Sequence, residues 1–511
     1  MQIKTCSALA LAISLASLQM AYAAEEVAVE QLAKGLAGST QGQSNGFIED
    51  SDLNLLSRNV AINRDFKNNN NAAANAADGT NEGFNTNQGS INEWGQAEML
   101  TFTSGFTQGT VGFGLDAFAN GAARLTGGAG TGGTGGVGGV NVFPGSEHCD
   151  DVTGSCQGVD SYGLAGGAVK LRVSETELKV GNLQPNSPVF GYSDLYLMPQ
   201  HFTGGLLTSN EIEGLALQGG HFTSGHAENS TDKDGDLGTT YGGTAFKSAN
   251  FIGGDYTFSD TLSGGLHASK YEDVWQQYYA SLNHSLALGE ETALNTSIAY
   301  YKTDDTGDAK AGQINTDAYS LSLALSTGAH TFTLAHQQVN GSTPFDYLGV
   351  ARDKATFNPA GSIWLANSSQ FADFNAPGEK SIKLQYDLDA SSFGVPGLSF
   401  MARYVRGTGA DGTGADANGA YAFYNSLEDG KEWERDVQVA YVVQDGPAKD
   451  LSFTLRQATY RGNSDMNSTN SGADNNEVRL ITSYPLDILK PALACSTPQG
   501  WGRPDCFVMG K

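Results

Sequence analysis

The chain has 511 residues, 66 of them glycine, and carries 55 acidic against 29 basic side chains, a formal net charge of −26. That balance repels polyanions, so a nucleic-acid partner is excluded. After residue 23 no apolar run reaches the roughly 20 residues that a spanning helix needs, which leaves a soluble sheet protein or a membrane β-barrel, whose spanning segments are short and individually weak signals.

The first residues read as an export signal. Lys4 precedes the apolar run from Ala8 to Leu18, and Ala21-Tyr22-Ala23 has the form of a cleavage site. Residues 1–23 are therefore expected to be a cleaved signal peptide, with Cys6 a small residue within it, and 24–45 a flexible acidic lead-in with at most a short helix at 27–36. Residues 47–66 (FIEDSDLNLLSRNVAINRDF) predict the first strand and carry Arg58 and Arg64. The Asn-rich stretch 68–92 predicts an outer loop. A hairpin follows, 98–103 with 111–118, in which Val111, Phe113, Leu115 and Ala117 alternate with Gly112, Gly114 and Asp116. The glycine-rich run 127–139 lacks the Lys-Ser/Thr and the helix of a phosphate loop, and reads as a long outer loop reaching Tyr162.

Residues 168–173 and 176–180 form the next predicted hairpin, with Lys170 and Arg172 on one face and Val169, Leu171 and Val173 on the other. Residues 181–205 (GNLQPNSPVFGYSDLYLMPQHFTGG) are too apolar for a surface loop and do not alternate, so they predict a loop folded into the barrel that narrows the pore. Strand pairs then recur at 215–221 and 246–256, 262–269 and 278–288, 294–301 and 318–325, 330–337 and 362–373, and 380–388 and 398–405. The closing arms are 436–443, 451–460 and 477–486. In the last two, Phe453, Leu455, Val478 and Leu480 alternate with Thr454, Arg456, Arg479 and Ile481. Strict alternation is the strand period. An arginine on the otherwise small, polar face of both arms is the unusual part: with apolar faces on lipid and the sheet closed, these arginines line a water-filled interior. Tyr300, Tyr301, Tyr441, Tyr460 and Tyr484 lie near strand ends and fit interfacial girdles.

Residues 46–489 are thus one antiparallel β-barrel, and the proline-bearing segment 490–511 is an atypical tail. Patterning alone sets an even strand number between about 16 and 22. Cys149 with Cys156 and Cys495 with Cys506 are two local pairs, read in an oxidising compartment as small disulfide loops. Neither pair has a grouping at zinc spacing, and no metal or cofactor is expected. The acidic runs at 149–151, 232–236, 303–308 and 411–416 read as solvated outer loops, with divalent-cation binding at a lipopolysaccharide surface the alternative.

Runs along nearly the whole mature chain resemble the OprD family of substrate-specific outer-membrane porins of Gram-negative bacteria. They are 47–66, TQGTVGFGLDAF (107–118), AGGAVKLRV (165–173), FIGG (251–254), HTFTLAHQ (330–337), PFDYLG (344–349), PGEKS (377–381), FGVPGL (393–398), YVVQDGPAKDLSF (441–453) and SYPLDIL (483–489). The lead-in, the glycine-rich loop with its cysteine pair, and the tail depart from the family. The resemblance implies an all-β, eighteen-stranded outer-membrane barrel, each monomer a pore that can gather into a loose trimer, set among outer-membrane lipid and lipopolysaccharide. It also implies an inward-folded constriction loop and a ladder of basic residues that guides small carboxylate solutes by passive diffusion.

Arginine suits that task because it stays charged and offers paired donors to a carboxylate. The ladder is Arg58, Arg64, Lys170, Arg172, Lys383, Arg403, Arg456 and Arg479. Of these, Arg58, Arg64, Arg456 and Arg479 match family positions, while Thr454 stands where relatives can carry a second arginine beside Arg456. Opposite the ladder the family places an acidic, tyrosine-lined patch for an ammonium group; Tyr241, Tyr347, Ser368 and Asp373 match it, Phe371 replaces a tyrosine, and Tyr196 stands where a basic residue can occur. Amino acids, small peptides and aromatic carboxylates all fit such a pore.

Two other readings compete. A serine-protease activity has been ascribed within the family, and His221, Asp273 and Ser362 match the base, orienting acid and nucleophile. Ser362 lacks a nucleophile-elbow pattern, and parity with Leu215 and Leu217 turns His221 towards lipid unless Gly219-Gly220 is a bulge, so the expectation is a channel rather than an enzyme. A structural barrel would instead need a lumen blocked by loops.

Overall fold

The computed structural model describes residues 41–67, 90–126, 142–144, 159–352, 357–469 and 474–489. The signal peptide, most of the lead-in, the Asn-rich and glycine-rich loops, all the cysteines and the tail lie outside the described residues.

The strands are, in order, β1 (Asp52–Phe66), β2 (Ser90–Thr103), β3 (Val111–Arg124), β4 (Ser161–Val173), β5 (Thr176–Leu183), β6 (His201–Ile212), β7 (Leu215–His226), β8 (Leu237–Thr239), β9 (Ala245–Phe246), β10 (Ala249–Ser259) and β11 (Leu262–Tyr271). They continue with β12 (Trp275–Ala287), β13 (Thr292–Asp305), β14 (Asn315–Thr327), β15 (His330–Asn340), β16 (Leu348–Ala351), β17 (Phe357–Pro359), β18 (Lys380–Asp389), β19 (Leu398–Ala410), β20 (Gly430–Val442), β21 (Ser452–Gly462) and β22 (Asn475–Asp487).

Eighteen of them form one sheet in which every neighbour is antiparallel, and β1 pairs with both β2 and β22, so the sheet closes on itself. The four short strands β8, β9, β16 and β17 make a separate small sheet. Connections such as 174–175, 213–214 and 328–329 are short, whereas 184–200, 227–248 and 341–379 at the opposite rim are long. Short turns mark the periplasmic rim and long loops the extracellular one.

Side-chain parity sets what faces lipid. Phe453, Leu455, Val478 and Leu480 are 42%, 49%, 40% and 43% exposed on the outer wall, while Arg456 and Arg479 are 9% and 4% exposed and turned inward, opposite one another in the register. The tyrosines divide by the same rule. Tyr300 and Tyr441 face outward, but Tyr301 and Tyr460 are buried inside, because adjacent strand positions take opposite faces.

The segment 184–200 folds into the lumen. Its Val189, Phe190, Leu197 and Met198 are fully buried. Phe190 stacks on Phe222 of β7 (4.7 Å) and Phe251 of β10 (5.6 Å), and Tyr271 Oη donates to Val189 O at 2.8 Å. The loop is shorter than its sequence suggested, since β6 already starts at His201; the glycine pair and the polar Ser209-Asn210 had hidden that strand.

Conversely, 362–373 is no strand but part of a second loop, 341–379, that also turns inward. Its backbone amides are met by side chains instead of a neighbouring strand. Trp364 N donates to Tyr301 Oη (3.0 Å), Ala366 N to Ser320 Oγ (3.1 Å) and Asn367 N to Gln337 Oε1 (2.8 Å). Phe371 N and Ala372 N donate to the Glu434 carboxylate at 2.9 and 2.8 Å. One strand was thus missed and one falsely read, and the eighteen barrel strands that the resemblance implied are present. At the periplasmic rim the last lead-in residues are not loose: Gln41 is buried and donates to Thr107 O (2.8 Å) and Gly109 O (3.0 Å).

Because one carboxylate holds two amides of the second loop, Glu434→Ala should leave the barrel folded, with unchanged far-ultraviolet circular dichroism. It should raise single-channel current noise and mean conductance as the loop leaves its seat.

Candidate functional site: a charged constriction

All eight basic ladder residues sit on strands and turn into the barrel, since each shares parity with lumen-facing neighbours. They do not form a row of bare cations. Arg58 makes a two-pronged pair with Asp194 of the first in-folded loop (2.5 and 2.9 Å) and donates to Tyr196 O at 3.2 Å. Arg64 and Arg479 share Glu477, the former at 2.6 Å. Arg403 binds Asp436 through two nitrogens, at 2.8 and 2.5 Å. Lys170 pairs with Asp116 at 2.6 Å, and Arg172 donates to Gln41 Oε1 at 3.1 Å with its guanidinium 4.0 Å from the Phe106 ring centre. Both stand at the periplasmic end of β4, away from the constriction.

Arg456 and Lys383 differ. Arg456 Nε donates to neutral Gln438 Oε1 at 2.5 Å, and its Nη2 is buried without a hydrogen-bond partner among the described residues. Lys383 Nζ donates to Ala366 O of the second in-folded loop. Arg456 lies near Arg403 and Arg479, and Lys383 near Arg403, with Asp436 of β20 and Glu477 of β22 set among them.

The acidic patch is assembled around one carboxylate. Tyr241 Oη and Tyr347 Oη each donate to Asp373 Oδ2 at 2.8 Å, and Ser368 Oγ donates to Oδ1 at 2.6 Å. Phe371 packs on Tyr460 (4.8 Å) and under the Arg64 guanidinium (4.9 Å), while Tyr196 lies 5.2 Å from the Arg479 guanidinium. Gln370 Nε2 donates to Glu477 Oε1 at 2.9 Å. The first in-folded loop thus meets the arginine wall at Arg58 and Arg479, and the second at Arg64 and Glu477.

The protease-like triad is not brought together. The sheet has no bulge at Gly219-Gly220: His221 lies on the outer wall with Leu217, opposite Asn250, to which its Nδ1 is bonded at 2.9 Å. Asp273 is in the β11–β12 turn, paired with Lys310 at 3.2 Å, and Ser362 is buried inside, where its Oγ accepts from Leu348 N at 3.4 Å.

Sequence reading missed the counter-charges Asp194, Asp436 and Glu477. Glu477 had a signal, since it shares a face with Arg479 two residues on; Asp194 had none, being in a loop without a period. Asp346 was missed as well. It seats the tyrosines by accepting from Tyr241 N (3.0 Å), Gly242 N (2.8 Å), Tyr347 N (2.7 Å) and Tyr421 Oη (2.9 Å).

The family described as outer membrane porin, OprD family, matches residues 45–488. The chain belongs to the OprD family. It is 44% identical to Porin D of Pseudomonas aeruginosa over 490 residues, 96% of this chain and 100% of that one. The crystal structure of P. aeruginosa OprD superposes with a TM-score of 0.71 at 42% identity, covering 88% of this chain and 99% of that one. The structure of P. aeruginosa OpdK with vanillate gives a TM-score of 0.70 at 31% identity, covering 86% and 100%. This OprD-family chain is accordingly an outer-membrane porin, and since one chain closes the sheet, one chain makes a pore.

Burial pushes the Asp346 carboxyl up to about 6, against the hydrogen bonds that pull it down. The folded loop then holds that proton more tightly than an exposed aspartate does, so this contribution to loop stability is full below about pH 4 and is lost as pH rises through about 6. Single-channel noise should increase between about pH 4 and about pH 6, and Asp346→Asn should flatten that dependence.

Proposed function

We propose that this porin passes small carboxylate-bearing solutes by passive diffusion, with Arg456 and Lys383 as the cations that engage the carboxylate at the constriction. Arg456 carries the reading. Its neighbours on the wall are met by Asp436 and Glu477, whereas its own guanidinium contacts a neutral glutamine. A charge that no fixed carboxylate answers attracts a mobile one, and low-dielectric walls focus its field along the lumen. The paired arginines act mainly by holding loops in place, with Arg58 on Asp194 the plainest case.

Asp373, with its three hydroxyl donors, supplies the opposite pole and suits a solute that also carries an ammonium group. Phe371 offers a flat apolar face under Arg64, which suits an aromatic ring. Amino acids, small peptides and aromatic carboxylates remain the candidate solutes, and the relative OpdK was crystallised with vanillate, itself an aromatic carboxylate.

The test is single-channel conductance in a planar bilayer with competition by benzoate, arginine and an uncharged sugar. Arg456→Gln strands no carboxylate, so the pore should stay intact. Benzoate permeation should fall by roughly tenfold, the weight of about one charge-assisted hydrogen bond, while sugar permeation holds. An equal loss for both solutes would remove the role assigned to Arg456.

A further inference from the structure

The outer wall should be apolar where it meets lipid, and over β18–β21 near the extracellular rim it is not. Lys380, Arg406, Lys431, Arg435 and Arg461 point outward there, sharing parity with the exposed Ile382, Tyr404, Val437 and Leu455. The register makes them neighbours. Arg406 lies opposite Ile382 on one side and Trp433 on the other, Trp433 opposite Arg461, Tyr404 opposite Arg435, and Thr408 between Lys380 and Lys431. Adjacent strands are about 4.8 Å apart, so the five cations share one compact patch.

Lys431 pairs with Asp429 at 2.5 Å. Among the described residues no carboxylate pairs with Lys380, Arg406, Arg435 or Arg461; Arg435 Nη2 has only long bonds to Gln457 and Thr459 (3.4 and 3.3 Å), and Arg461 donates to Asn476 and two carbonyls. The outward Lys302, by contrast, sits between Asp304 (2.9 Å) and Asp317 (3.8 Å).

A second feature adjoins the patch. An apolar groove of about 600 Å³ runs obliquely over the outer wall from Leu294 on β13 to Arg435 on β20. Rows of facing side chains build it, Leu325 against Phe332, Phe332 against Tyr386, and Tyr386 against Ala402. Ala402 is the low point, a methyl between Tyr386 and Val437. The groove ends where the cations begin, and the Tyr404–Trp433 ring pair (5.9 Å) stands at the join, where aromatic side chains mark the headgroup level.

We propose that this face binds one outer-leaflet lipid with a phosphorylated headgroup, its phosphates on Arg406, Arg435 and their cationic neighbours and an acyl chain in the groove. Guanidinium groups match phosphate oxygens in pairs, and the unanswered charge is complementary to a phosphorylated leaflet on that side. A second copy of this chain docked symmetrically would set the same cations against themselves, which disfavours it as the occupant.

The test is native mass spectrometry of the folded barrel in detergent, titrated with phosphorylated lipid A, with dephosphorylated lipid A and with inorganic phosphate as competitor. The phosphorylated lipid should be retained and its dephosphorylated form should not, with millimolar phosphate failing to displace it. Arg406→Gln with Arg435→Gln should weaken retention by about tenfold or more, and Ala402→Phe, which fills the groove, should do likewise. Single-channel conductance should be unchanged in both, because the lumen is untouched, and this separates lost binding from lost folding and from the solute role of Arg456. Undiminished retention by the double variant would overturn the proposal. So would displacement by phosphate alone, or a change of oligomer size in cross-linking in place of lipid loss.

Discussion

The structure depends on the closure of a hydrogen-bonded sheet in a medium that offers no other partners. An unmet backbone amide inside a bilayer costs several kcal/mol, so every barrel strand must pair on both sides. The pairing of β1 with β22 as well as β2 satisfies this. It also removes any edge to which an inward loop could add as a strand. Where the second loop lies along the wall it is therefore held by side chains, and the tyrosine, serine, glutamine and glutamate that receive the amides of 364–372 are a consequence of closure. Polar residues on the inner wall consequently serve two ends, seating the loops and setting the field.

The same economy governs charge. A lumen carrying many cations would repel its own loops and close on itself poorly, and here most cations are answered at short range by Asp116, Asp194, Asp436 and Glu477. Removing one partner of such a pair leaves the other buried and uncompensated, at a cost of about 3–5 kcal/mol, so these pairs are better read as anchors than as stepping stones. On the function proposed above, selectivity rests on the small remainder at Arg456 and Lys383. A solute need compete with no fixed carboxylate there, and a few weak contacts let it leave again.

How far the sequence spoke depended on how local each signal was. Alternation told correctly that Phe453 and Leu455 look out while Arg456 and Arg479 look in, since strand parity follows from adjacent residues alone. The non-alternating, apolar run around Val189 and Phe190 announced a loop that is buried. The reading misled at 362–373, where the apolar run Ile363 to Ala366 resembles strand although side chains of the wall hold it. It failed at His201–Ile212, where a glycine pair and polar positions dilute the pattern. The tyrosine cluster on Asp373 was reached through family likeness and not through periodicity, which carries no information about loops that meet across a lumen.

By itself, then, the chain determined the class of fold, the sidedness of the strands it revealed and the identity of the basic residues that enter the barrel, because these depend on neighbours one or two residues apart. Only the tertiary structure decided which of those charges stay available. Asp194 reaches Arg58 across 136 residues of sequence, and Glu477 reaches Arg64 across 413. Whether a cation is neutralised is a matter of distance in space, falling off over a few ångströms, and no pattern along the chain records it.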